Sequence, residues 1–117
     1  MIDDGRPLFL QIADSIADQI IDGDLPEEGQ APSTNDLARF YRINPATAAK
    51  GVNLLVDKGV LYKRRGIGMF VATGARDVLR AERSTALADR FLDPLLAEAA
   101  RLGLSRQDVI DLINARS

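Results

Sequence analysis

Residues 33–58 read STNDLARFYRINPATAAKGVNLLVDK, and this stretch decides the fold. It holds two helix starts. Ser33, with Asp36 three positions on, has the form of a capping box in which Asp replaces the longer Glu. Asn44-Pro45 is the second start, with Asn as N-cap and Pro at the first helical position, where its missing N–H costs nothing. Between them the pattern predicts a short helix burying Leu37, Ala38 and either Phe40 or Tyr41, then a turn at Arg42-Ile43. The second helix runs to about Lys58, with Ala48, Val52, Leu55 and Val56 inward, and Gly59 ends it.

Working outward, Leu8, Ile12, Ile16 and Ile20 recur every four residues with Asp14, Asp18 and Asp22 between them. That is an amphipathic helix from near Pro7 to near Gly23, a residue free to take the left-handed closing conformation. Leu25-Pro26 to Pro32 is a connecting loop rich in helix breakers. Downstream, Val60-Leu61-Tyr62-Lys63 and Met69-Phe70-Val71-Ala72 are short β-prone runs flanking Arg64-Arg65-Gly66-Ile67-Gly68, which reads as a hairpin. Helix, short helix, turn, helix, hairpin is the order of a winged helix-turn-helix, spanning about residues 8–72. The fold class is mainly α with a small β-hairpin, with a first domain over residues 1–74.

Residues 75–117 form an α-helical tail. Val78, Leu79, Ala86, Leu87, Phe91, Leu95 and Leu102 mark a long helical stretch that contains Pro94. An interior proline costs roughly 3 kcal/mol. Either Pro94 kinks one helix or Asp93-Pro94 caps a new one; the kink is the expected outcome. Gly103 stops the helix, and Ser105 with Asp108 caps a last one holding Val109, Ile110, Leu112 and Ile113.

The 117 residues are 46% apolar, a normal globular share, and contain neither Cys nor His. Disulfides are excluded, and the usual zinc ligands and the commonest general base are missing. No apolar run is long enough for a membrane span, the acidic start Met1-Ile2-Asp3-Asp4-Gly5 does not read as a signal peptide, and the cytoplasm is the expected location. The net charge of −2 is uneven. Residues 1–30 sum to −7, residues 31–74 to +5 and residues 75–117 to zero. A basic middle segment fits phosphate binding; chance clustering on a solvated surface fits the charge equally well.

Two constellations stand out. In a helix-turn-helix the second helix presents its N-terminal residues to base edges. Here these are Asn44, Pro45, Ala46 and Thr47, with Lys50 one turn further on. Asn44 and Thr47 are hydrogen-bonding candidates that also suit plain capping, and Ala46 leaves room for close approach to a thymine methyl. At the hairpin tip Lys63, Arg64 and Arg65 place three charges where a wing reaches phosphate or the minor groove, and Gly66 and Gly68 permit the turn. The scattered carboxylates show no paired or motif-like arrangement, so no enzyme and no cofactor is expected.

These segments carry a family resemblance. Ala31-Pro32-Ser33-Thr34-Asn35-Asp36-Leu37-Ala38 resembles the LPS…LA motif of the GntR family of bacterial regulators, and Ile43-Asn44-Pro45-Ala46-Thr47 resembles the INPNT turn of its short YtrA-type branch. Gly59-Val60-Leu61 followed by Arg64-Arg65-Gly66-Ile67-Gly68-Met69-Phe70-Val71 is similar to the family's wing. About 45 residues follow the wing, which fits the branch's two-helix dimerisation tail rather than a large effector domain. The resemblance implies a sequence-specific DNA-binding regulator, a repressor by expectation, acting as a homodimer on a near-palindromic operator and released by an unidentified small-molecule effector. It implies that Ser33, Thr34 and Asn35 meet DNA backbone and adjacent bases, that Thr47 and Lys50 serve on the recognition helix, and that Arg65 and Gly66 serve on the wing. It also assigns Leu87, Phe91, Leu95, Leu102, Val109, Ile110 and Ile113 to dimerisation, against the alternative that the tail folds back on its own domain. Ala31 replaces the usual Leu, Ala46 the usual Asn, and a basic residue near Asn35 is missing, so the base preference of relatives does not carry over. The competing function is a winged-helix protein-interaction module without DNA binding.

Overall fold

The computed structural model describes residues 5–116. Asp3 and Asp4 of the acidic segment, and the outermost ends of the two expected domains, lie outside the described residues. The chain divides into two compact units, Met1–Arg80 and Ala81–Ser117.

The first unit is built on helix α1, Leu8–Asp22, which follows Pro7 and closes at Gly23 with φ 90°. Its four-residue periodicity buries Ile12, Ile16 and Ile20, each about 1% exposed, worth roughly 2 kcal/mol apiece. Helices α2, Thr34–Tyr41, and α3, Pro45–Asp57, start on the two predicted caps. The Ser33 hydroxyl accepts the Asp36 N–H at 3.0 Å, and the Asn44 side chain accepts the Ala46 N–H at 2.8 Å. Arg42 makes the turn between them in the left-handed region, φ 57° and ψ 52°. Of the aromatic pair, Tyr41 is the one turned inward, its hydroxyl 3.0 Å from that of Ser15, while Phe40 is 78% exposed.

Helix α3 packs on α1 and α2 through Ala48, Gly51, Val52 and Leu55; Val56 is only half-buried. Gly51 lets α3 come close to the backbone of α1. A Cβ there would stand 2.8 Å from the Phe9 carbonyl oxygen, which is backbone and cannot yield alone.

Strands β1, Leu61–Arg64, and β2, Gly68–Val71, pair antiparallel with Tyr62 opposite Phe70 and Arg64 opposite Gly68. The turn spans residues 65–67, with Gly66 at φ 77°. The stretch expected as a plain loop also joins the sheet. Glu28 and Ala31 donate N–H bonds of 2.8 Å to the carbonyls of Val71 and Met69, and Val71 donates one of 2.9 Å to Gly29. The wing is thus a hairpin with a third backbone segment along β2. The unit extends past the wing, because Ala75 and Leu79 of helix α4, Ala75–Leu87, are each 1% exposed and belong to its core.

In the tail, a π-helical turn, Ala88–Leu92, separates α4 from α5, Asp93–Arg101. Leu87, Leu92 and Asp93 all have right-handed helical dihedrals, so the run passes through Pro94 rather than restarting at a cap. The Asp93 N–H reaches back five residues to Ala88. This wider turn accommodates a proline that has no N–H and whose ring would crowd the preceding turn. Helix α6, Arg106–Asn114, opens on a reciprocal capping box: Ser105 and Asp108 each accept the other's N–H, at 3.0 and 2.8 Å. Helices α5 and α6 pack together, burying Ala99 and Val109.

Candidate nucleic-acid interface

The tip of α3 is uncharged and outward. Asn44, Pro45 and Ala46 are exposed and Thr47 is half-buried. Asn44 is occupied as the cap through its side-chain oxygen, while its amide nitrogen, a donor, makes no hydrogen bond among the described residues. Beyond the tip, Ala46, Lys50, Asn53 and Asp57 are all exposed at helical spacing and form one outer stripe. The Lys50 ammonium rests 4.1 Å from the centroid of the Phe9 ring of α1. Asn53 is a residue the sequence reading missed, although the spacing from Ala46 and Lys50 was there to find it.

The start of α2 lies beside this tip. A cleft of about 510 Å³ between the two helices is lined by Asn35, Ala38, Arg39, Ile43 and Pro45. Ser33 and Asn35 are exposed and Thr34 half-buried. Arg39 is paired with Asp36 at 2.7 Å. Hydrogen bonding from Ser33, and then the Arg39 guanidinium, hold the Asp36 carboxyl below its ordinary range.

The wing divides its three bases. Lys63 and Arg65 are exposed, and neither has a side-chain ion pair or hydrogen bond among the described residues. Arg64 is engaged. Its guanidinium lies 4.1 Å from the Phe70 ring centroid, 2.9 Å from the Tyr62 hydroxyl and 3.3 Å from the Glu28 carboxylate. Glu28 also accepts hydrogen bonds from Tyr62 and, at 2.6 Å, from Thr73. The Thr73 bond, then the Tyr62 bond, lower the Glu28 pKa. Gly68, at φ 144°, sits where a Cβ would meet Gln30 Nε2 at 2.7 Å. Glu28, Tyr62 and Thr73 carry no motif that sequence alone would single out, because their meeting depends on the loop pairing with β2.

In the tail, Leu87, Phe91, Leu95, Leu102, Ile110 and Ile113 are exposed on the single chain, between 40% and 64%. Val109, grouped with them from the sequence, is 5% exposed and is taken up by the chain's own packing.

The model of bacterial regulatory proteins of the gntR family matches residues 8–71. The chain is 27% identical over 106 residues to YhcF of Bacillus subtilis, an HTH-type transcriptional regulator, covering 91% of this chain and 86% of that one. It is 23% identical over 107 residues to the transcriptional repressor YtrA of the same organism, covering 92% and 82%. The structure of a transcriptional regulator from Oenococcus oeni superposes with a TM-score of 0.79 at 28% identity, over 98% of this chain and 94% of that one. The DNA-binding domain of AraR, solved in complex with operator ORR3, matches over 62% of this chain and 87% of its own, with a TM-score of 0.57 and 28% identity. Some other curated relatives match over about a quarter of their own length, 27% in one case. The winged helix-turn-helix and the match of the family model over it converge on one assignment: the chain belongs to the gntR family of bacterial regulatory proteins, DNA-binding transcriptional regulators rather than enzymes.

Proposed function

We propose that the protein is a repressor that binds a near-palindromic operator in the cytoplasm as a homodimer. The carrying observation is the juxtaposition on one domain of an exposed, uncharged α3 tip with a wing bearing two bases, Lys63 and Arg65, that are unengaged among the described residues. The tip has the groups that read base edges in a major groove, and the wing supplies charge for phosphate. Ser33, Thr34 and Asn35 are assigned to backbone contacts at the start of α2. Asn44, Ala46, Thr47 and Lys50 are assigned to the recognition helix, and Gly66 and Gly68 let the wing backbone come close. AraR's crystallisation with operator DNA and YtrA's naming as a repressor support the reading. No helix among the described residues is long and apolar enough to cross a membrane.

Dimerisation is assigned to the exposed apolar side chains of the tail, with release by a small-molecule effector as the regulatory step. A two-fold dimer would present two α3 helices roughly 34 Å apart, one helical turn of DNA.

The test is selection of binding sites from random duplexes with the purified protein. Enrichment of a near-palindrome is expected; absence of any enriched site would sink the proposal. Arg65→Ala sharpens it. If Arg65 neutralises one phosphate, the slope of log affinity against log salt becomes shallower by about 0.9.

A further inference from the structure

The three consecutive bases of the wing are not equivalent. We propose that Arg64 is a positioning residue that braces the wing through Glu28, and that Lys63 and Arg65 alone deliver the wing's charge to phosphate. Arg64 can position a wing for DNA only if that wing meets DNA, so the assignment rests on the reading above.

Strand alternation puts Lys63 with Leu61 on one face of β1, and Tyr62 with Arg64 on the other. On that second face Arg64 stacks on Phe70 and reaches both the Tyr62 hydroxyl and the Glu28 carboxylate. Tyr62 and Thr73 donate to the same carboxylate. One acid in the connecting loop therefore gathers groups from β1 and from the residues that follow β2. The backbone bonds from residues 28–31 to β2 lie alongside. A guanidinium placed this way is neutralised by its own chain and aimed across the sheet. Its planar shape suits the stack and the fork together, which an ammonium cannot reproduce.

Two readouts on the full-length protein test this. The first is affinity for a selected operator duplex as a function of salt. Arg64→Lys and Arg64→Met are both expected to weaken binding roughly 3- to 10-fold at fixed salt, with the salt slope unchanged. Lys63→Ala and Arg65→Ala are each expected to make the slope shallower by about 0.9. The second needs no DNA. Amide hydrogen exchange at Ala31 and Val71, whose N–H groups tie the loop to β2, is expected to accelerate in Arg64→Met and in Glu28→Gln. Glu28→Gln keeps an acceptor and the side-chain shape, so it serves should Arg64→Met fold poorly. A shallower slope in Arg64→Met together with unchanged exchange in both variants would overturn the brace and make Arg64 a third phosphate contact. If the wild-type protein shows no salt-dependent duplex binding, the DNA-binding reading falls; the exchange measurement still decides whether Arg64 braces the wing.

Discussion

Gly51 sits in the middle of α3, where glycine is normally a liability of about 1 kcal/mol against alanine. It is tolerated because the Phe9 carbonyl lies where a side chain would go. Gly51→Ala gains helix propensity but forces α1 and α3 apart. The net expectation is a loss of about 1–3 kcal/mol, measured by chemical denaturation, since overpacking a backbone contact outweighs propensity. Equal or greater stability would mean that the helices can separate freely. Nothing in the one-dimensional pattern marks Gly51, because a helical glycine looks the same whether or not another backbone crosses it. Ser33 is the opposite case, legible from its spacing to Asp36. Ser33→Ala should cost about 1 kcal/mol of stability through the lost cap, and operator affinity should fall beyond that if Ser33 also meets the DNA backbone.

Among the elements, the wing is the one whose behaviour depends on a titrating group. The hydrogen bonds from Thr73 and Tyr62 place the folded-state pKa of Glu28 below its ordinary 4.5. A carboxylate with a depressed folded pKa contributes stability above its unfolded value, and that contribution disappears as pH falls through the folded one. Wing protection should therefore be full above about pH 4.5 and decline below it. In Glu28→Gln the difference from wild type should be present at neutral pH and shrink as the wild-type carboxylate protonates. Amide exchange corrected for intrinsic rates, compared at pH 6 and pH 3.5, measures it; a difference that grew at low pH would refute the sign. Arg76 ties a second joint of this unit. Its Nε donates to the Ile21 carbonyl at 2.8 Å, satisfying an acceptor in the last turn of α1, and its backbone N–H donates to Glu27 at 3.2 Å. Glu27 and Glu28, neighbours in the connecting loop, thus hold the start of α4 and the wing respectively.

For the molecule as a whole, the decisive feature of the tail is what it leaves uncovered. Between residues 81 and 116 nine large apolar side chains are exposed, while Ala99 and Val109 are the buried ones. Exposed apolar side chains in that number fit the proposed dimer contact. Phe91→Glu with Leu95→Glu in the full chain should convert a dimer to monomer in sedimentation at micromolar concentration, and weaken operator binding while leaving the first unit folded. A persisting dimer would remove these positions from the interface. A truncation test should end after Arg80 rather than after Gly74, because Ala75 and Leu79 complete the core of the first unit.

The order of elements, both helix caps, the left-handed close of α1 and the hairpin were all legible in the sequence. Each rests on local rules, namely hydrophobic period, capping chemistry and turn residues, which act over a few positions. Family membership was legible for the same reason, since its motifs are short and keep their spacing. Tertiary structure alone decided what distant segments do to one another. Phe40 and Tyr41 occupy adjacent positions, and it is the packing of α2 against the core, with the Ser15 hydroxyl beside that of Tyr41, that distinguishes them. Glu28 counts as an acid of the N-terminal segment, yet it neutralises a base of the +5 segment 36 positions away, because the loop pairs with β2. Val109 belongs to the same apolar pattern as Ile110 and Ile113, but helix packing claims it first. A charge or an apolar residue has a fixed chemistry in the sequence; whether it is spent inside the chain or left for a partner depends on which surfaces the fold brings together.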